Sequence, residues 1–251
     1  MTPDRGPEVP ANGADLRRHP IFRGLSDAER DQIFAVLKPR HVKRGSTLLY
    51  DPDVVGRACF VWSGSYHLVI AVPPNTTVTL LSVRSGGALG LPLATSEARW
   101  GGSLRLLCDR SGVLLELTVA QLNAFRHAMP TLADAVLAAI STLAGDHAGR
   151  IFELSALNVR QRVNAELLRL ARHGEWSGKR CIVEPTPTNQ TLAAQVGATR
   201  EGVSRVLREL ASEGLIRIKQ RSLEFLDIDR LLALDHAATG RLMFDPNARA
   251  E

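Results

Sequence analysis

The stretch "NQTLAAQVGATREGVSRVLREL", Asn189 to Leu210, decides how the C-terminal third of this 251-residue chain is read. Thr188, just before it, can cap a helix on which Leu192, Ala193 and Val196 share one apolar face. Gly197 lets the backbone turn sharply after that face ends. Thr199 caps a second helix, on which Val203, Val206, Leu207 and Leu210 recur at helical spacing and turn inward. Arg200, Glu201, Ser204, Arg205 and Arg208 are left facing outward. Two short helices joined through a glycine in this way form a helix-turn-helix, which offers the first turns of its second helix to a major groove.

The chemistry of the outward face narrows the partner. A surface made only to grip phosphates would avoid Glu201, whereas base edges present both acceptors and donors. Guanidinium forks match the N7 and O6 acceptors of guanine, and a carboxylate accepts from the N4 amine of cytosine, each pairing giving about 1–3 kcal/mol of discrimination. Arg200, Glu201 and Arg205, with Ser204 between them, therefore read as base-contacting residues. Thr188, Gln190 and Thr199 at the helix ends, with Arg208, are placed to hold phosphates. The competing reading is a solvated face carrying an Arg–Glu pair. Beyond Gly214, "LIRIKQRSLEFLDID" alternates apolar and polar residues about a polar turn, as a β-hairpin would. Its Arg217, Lys219 and Arg221 could lie along a phosphate strand as a wing. From Thr186 to Arg221 there are six Arg or Lys against three Glu, so the positive excess is local to this segment.

Upstream, Asn158 is a competent cap for the helix "VRQRVNAELLRLARHG", and "SALN" before it interrupts the preceding pattern, which sets a domain boundary there. After Met129-Pro130, the residues Leu132, Val136, Ile140, Leu143, His147, Ile151 and Leu154 recur at steps of four and three. This seam predicts a helix over 131–154 that pairs with a copy of itself, the alternative being a core helix packed on its own domain. Earlier still, "STLLY", "ACFVW", "YHLVIAV", "TTVTLLSV" and "GVLLEL" are short β-rich runs, with "VPPN" as a turn, and suggest a jelly-roll barrel. "SDAERDQIFAVL", Ser26 to Leu37, has the cap and acidic first turn of a short helix. Residues 1–18 read as a flexible lead-in, 19–130 as a sensor domain, 155–235 as the winged domain and 236–251 as a tail.

Composition excludes several alternatives. The formal net charge of +5 permits a polyanionic partner without requiring one. Cys59, Cys108 and Cys181 have no metal-binding spacing and read as thiols in a reducing cytoplasm. No apolar run approaches the roughly 18 residues of a membrane span. No nucleophile elbow, P-loop or H-E-x-x-H is present, which argues against an enzyme.

The chain resembles the cyclic-AMP receptor and FNR family of bacterial transcription regulators from about His19 to Leu234. The resemblance is strongest at "LAAQVGATREGVSRVLREL" and is carried also by "HPIFRGLSDAERDQI", "VKRGSTLLY" and "CFVWSGS". It implies an α+β architecture: a cyclic-nucleotide-binding-type β jelly roll, a long dimerisation helix, a hinge at Asn158 and a winged helix-turn-helix. It implies that Arg200, Glu201 and Arg205 read a TGTGA-like half-site on duplex DNA, that Thr188, Gln190 and Thr199 touch phosphates, and that the protein works as a homodimer. In nucleotide-binding members a Glu holds the ribose and an Arg-Ser pair holds the cyclic phosphate. Here Leu91 stands at the first place, following the glycine-rich "GGALG" that includes Gly87, and Gly102-Ser103 at the second. His147-Ala148 replaces the Thr-Ser that reaches the base. Neither leucine nor glycine can make the missing charge-assisted contacts, so cyclic nucleotide is disfavoured. The expectation is a degenerate pocket with no assigned cofactor and no metal. Haem through His19, His147 or another histidine stays open without a supporting motif, as do an unidentified small-molecule effector and a contact with RNA polymerase. The remaining alternative is a sensor whose C-terminal domain binds only protein.

Overall fold

The computed structural model describes residues 8–50, 57–72, 76–91, 104–172, 174–220 and 222–239. The chain divides into two compact units, Met1–Asp146 and His147–Glu251. No helix among the described residues is long and apolar enough to cross a membrane.

The first unit opens with two 3-10 turns, Gly13–Arg18 and Pro20–Phe22, followed by α1, Asp27–Phe34. Ser26 and Glu29 cap α1 reciprocally: Ser26 Oγ accepts from the Glu29 amide, and the Glu29 carboxylate accepts from the Ser26 amide at 2.8 Å. Six antiparallel strands follow: β1 Lys38–Val42, β2 Thr47–Tyr50, β3 Arg57–Val72, β4 Thr76–Arg84, β5 Ala88–Leu89 and β6 Leu104–Thr118. They run in the order β1-β6-β3-β4, with β2 added to β6 and β5 to β3. A helix α2, Val119–Ala128, carries a Thr118–Gln121 capping box, and the long helix α3, Pro130–Ala156, begins directly after it.

The runs "ACFVW" and "YHLVIAV", expected as separate strands, are one strand, β3. The reason is Gly64. It sits at φ +96° facing Gly112 on β6, where a Cβ would come within 2.7 Å of the Arg110 carbonyl oxygen. The register between β3 and β6 shifts at Val61/Ser63, Ser63/Ser65 and Ser65/Tyr66. "SGS" is thus a bulge that continues the sheet and exchanges its faces, since a one-residue slip turns every side chain over. Cys59 and Val61 before the bulge, and Tyr66 after it, pack into the same cluster with Leu89, Leu106 and Leu114. Ala58 and Phe60 face the other cluster with Leu16, Phe22 and Leu122. Strand β1 and the first half of β6 had not been anticipated, and the "VPPN" turn lies, apart from Val72, outside the described residues.

Leu132 and Val136 on α3 are buried in this second cluster of their own unit. That corrects the expected dimer seam over its N-terminal half: both residues already have their apolar partners. The exposed large apolar residues of α3 are Leu137, Ile151, Phe152 and Leu154.

The second unit contains α4 Val159–Ala171, β7 Glu175–Ser177, β8 Arg180–Val183, α5 Asn189–Val196, α6 Arg200–Ser212, β9 Ile216–Ile218, β10 Leu223–Phe225 and α7 Ile228–Thr239. Its strands form one antiparallel sheet in the order β7-β8-β10-β9. Leu167, Leu192, Val196, Val203, Leu207, Leu210, Leu215, Phe225 and Leu231 share its core, each burial contributing about 1.5–3 kcal/mol. The last turns of α3 belong to this unit through Glu153, which is 1% exposed. Its carboxylate is held by Arg169 at 2.5 and 3.0 Å and by Arg150 at 2.9 Å, and Arg169 also bonds Glu166 at 2.9 Å. Asn158, expected as a hinge, is the N-cap of α4 in a capping box with Gln161, at 2.9 and 3.0 Å. The Glu153–Arg169 ion pair joins the end of α3 to α4 at this corner. α7 continues to Thr239, past the start of the expected tail at residue 236.

Candidate DNA-reading interface

The turn between α5 and α6 is fixed by short-range chemistry. Thr188 Oγ1 accepts from the Thr191 amide at 3.1 Å and caps α5. Gly197 ends α5 in the left-handed region, φ 59° and ψ 49°, which a side chain disfavours. Its carbonyl oxygen accepts from Arg162 at 3.4 Å, and the same guanidinium donates to the Leu154 carbonyl at 3.3 Å, so the turn is tied to α4 and to the end of α3. Thr199 Oγ1 accepts from the Gly202 amide at 3.1 Å and starts α6.

On α6 the four expected apolar residues, Val203, Val206, Leu207 and Leu210, are all buried. Arg200, Glu201, Arg205 and Arg208 are exposed, and Ser204 is half-buried between them. Arg208 Nε donates to the Ser204 carbonyl at 3.3 Å, back along its own helix. The side chains of Arg200, Glu201 and Arg205 make no hydrogen bond or ion pair with any described residue. The Arg–Glu pair that would have made this an ordinary solvated face is not formed. Other cations of the unit are paired: Arg160 with Glu209 at 3.3 Å and Glu213 at 2.7 Å, Lys179 with Asp229 at 2.5 Å, and Arg169 with Glu153 and Glu166. Thr188, Gln190 and Thr199 are exposed at the helix ends, as their expected role requires.

The hairpin beyond α6 is present as β9 and β10, in the register Leu223↔Ile218, Glu224↔Arg217 and Phe225↔Ile216. Its turn is closed by the Lys219 amide donating to the Ser222 carbonyl at 2.8 Å, and Arg221 lies outside the described residues. Arg217 and Lys219, expected along a phosphate strand, are both paired with an acid. Arg217 Nη1 lies 3.3 Å from Glu224 Oε2, and Lys219 Nζ contacts Glu224 Oε1. Lys219 first, then Arg217, holds the Glu224 carboxyl below the usual carboxylate range. The reading had missed Glu224 and Arg162. The β9–β10 alternation would have placed Glu224 opposite Arg217; nothing local marks Arg162, whose acceptors lie far away in sequence.

Of the residues assigned to a degenerate effector pocket, Gly102 and Ser103 lie outside the described residues. Leu91 is buried among Leu16, Phe22 and Phe60. The Gly87 carbonyl accepts from the Val61 amide at 2.9 Å and from His19 Nε2 at 3.2 Å. His19 Nδ1 accepts from the Ile21 amide at 3.4 Å, which places the ring proton on Nε2. Both nitrogens are engaged, so His19 offers none to a haem iron. Burial pushes its pKa down to about 4, partly opposed by the bond to Gly87. His147 Nε2 in the second unit is buried and has no hydrogen-bond partner. All three cysteines are buried, and burial pushes the Cys59 thiol up to about 12 and raises that of Cys108.

Residues 161–234 match the Crp-like helix-turn-helix domain. The chain is 27% identical over 209 residues to the cyclic AMP receptor protein of Thermus thermophilus, covering 83% of this chain and 93% of that one. It is 29% identical over 195 residues to the transcriptional regulator SdrP of the same organism, covering 76% and 91%. A solved CRP/FNR-family transcriptional regulator from Thermus thermophilus superposes with a TM-score of 0.66 at 25% identity, over 80% of this chain and 100% of that one. By this domain and these likenesses the chain is similar to transcription regulators of the CRP/FNR family. The matched helix-turn-helix domain lies within the second unit, and the sheet of the first has a cyclic-nucleotide-binding-like fold. CooA of Carboxydothermus hydrogenoformans, at 16% identity and a TM-score of 0.68 over 90% of this chain, shares the fold.

Proposed function

We propose that this protein is a CRP/FNR-type transcription regulator, a cytoplasmic homodimer that reads a dyad-symmetric duplex site through Arg200, Glu201, Ser204 and Arg205. The observation that carries the reading is the unpaired state of Arg200, Glu201 and Arg205 on the exposed face of α6, in a domain whose other cations are largely committed to acids or carbonyls. Two guanidiniums and a carboxylate left without partners suit base edges, which supply acceptors and donors together. Thr188, Gln190, Thr199 and Arg208 set the register on phosphates, and the half-sites, TGTGA-like, stand about one helical turn apart. The two copies meet along the exposed face of α3, where Leu137 is 63% and Ile151 66% exposed and Ala144 and Ala148 lie between them at heptad spacing. Cyclic nucleotide does not control it: Leu91, at the place of a ribose-binding carboxylate, is an apolar core residue. Any effector is a different small molecule, and control of transcription runs through a contact with RNA polymerase.

Selection from a randomised duplex library tests the core of this reading. An enriched palindrome is expected, and Arg205→Ala should weaken the selected site by about 1–3 kcal/mol while relaxing preference at one base position. Equal weakening on selected and random duplexes would reduce the α6 face to unspecific charge.

A further inference from the structure

We propose that Glu224 is a specificity determinant that suppresses sequence-independent DNA binding by occupying the two wing cations Arg217 and Lys219. The inference rests on the DNA-reading assignment and concerns a residue of the wing rather than of the reading helix. Glu224 lies in the middle of β10, directly opposite Arg217 on β9, and its side chain is only 14% exposed. Its two carboxylate oxygens are divided between the cations: Oε2 faces Arg217 Nη1 at 3.3 Å, and Oε1 faces Lys219 Nζ. On its other side Glu224 is in register with Ile182 of β8, which brings no competing charge. Each cation therefore meets a carboxylate oxygen before it can meet a phosphate strand.

The domain divides its cations by what each could read. The side chains of Arg200 and Arg205, positioned for base edges, have no partner among the described residues, whereas Arg217 and Lys219, positioned for the backbone, share one. A phosphate contact strengthens binding to every sequence alike, through counterion release, and so dilutes the preference for any one site. A carboxylate that must be displaced before the wing can grip removes that unspecific contribution and leaves base reading to decide occupancy.

The test uses the full-length protein and fluorescence anisotropy on a random-sequence duplex and on the selected duplex, across a potassium chloride series. Glu224→Gln should tighten the random duplex on the order of tenfold near 0.1 M salt, and steepen the plot of log affinity against log salt by about one to two units, as expected for up to two newly freed phosphate contacts. The ratio of selected to random affinity should fall. Lys219→Gln in the otherwise native protein should leave the salt slope nearly unchanged, because that charge is already taken, but should remove about half of the gain when added to Glu224→Gln. This second variant keeps the test decisive if Glu224→Gln melts early. An unchanged slope in folded Glu224→Gln, or a slope lowered by about one unit in Lys219→Gln alone, would overturn the proposal. Should Glu224→Gln tighten all duplexes while selection returns no palindrome, the wing inference survives and the base-reading assignment falls.

Discussion

Acid should destabilise the first unit through His19. The ring is 2% exposed, donates from Nε2 to the Gly87 carbonyl and accepts the Ile21 amide on Nδ1. A second proton on Nδ1 would point at that amide, so the buried ring resists charging, and its pKa falls from 6.5 to about 4. Between those values the unfolded chain holds the proton and the folded chain does not. Stability is therefore fully present above pH 6.5 and is lost as the pH falls toward 4. The total is about 3 kcal/mol, from roughly 1.4 kcal/mol per pH unit, and about 2 kcal/mol of it falls between pH 6.5 and 5, above the range where most carboxylates titrate. Calorimetric or fluorescence melts of the native protein and of His19→Gln across that range isolate the effect. Glutamine can still donate to Gly87 but has no titrating ring. The variant should be less stable at pH 7 and should lack the native protein's acid slope for the first unit. Parallel slopes for the two proteins between pH 6.5 and 5 would show that His19 does not carry the dependence.

Glu153→Gln removes the carboxylate that joins Arg150 and Arg169, and should cost the second unit about 3 kcal/mol, read as an earlier melt of that unit alone. A loss under about 1 kcal/mol would mean that Glu166 suffices to hold Arg169 and that the corner is not fastened by Glu153. Leu137→Asp, at a position 63% exposed, should convert the proposed dimer to a folded monomer in sedimentation equilibrium, whereas Leu132→Ala, at 0% exposure, should lower the stability of the first unit by about 2–5 kcal/mol. A Leu137→Asp protein that still sediments as a dimer would place the seam on another face of α3.

The reading head was legible because each of its signals is local. A cap oxygen, the next amides and an apolar stripe lie within one or two helical turns of each other, so Thr188, Gly197, Thr199 and the Val203–Leu210 stripe could be placed without knowing the rest of the fold. The sensor sheet was less legible. "SGS" looks like punctuation between strands, and only Gly112, forty-eight residues from Gly64 in the chain, shows it to be a bulge.

By itself, the sequence determined the local conformations and the outward chemistry of α6. Periodicity could also show that α3 has an apolar stripe, but not what the stripe meets. Only the tertiary structure decided that Leu132 and Val136 are consumed by their own unit, that Leu137 and Ile151 remain exposed, and that Arg217 and Lys219 are paired while Arg200 and Arg205 have no partner among the described residues. The physical reason is that burial and ion pairing depend on which distant residues approach within a few ångströms. Two arginines with the same local pattern differ only in whether a carboxylate from another strand arrives beside them.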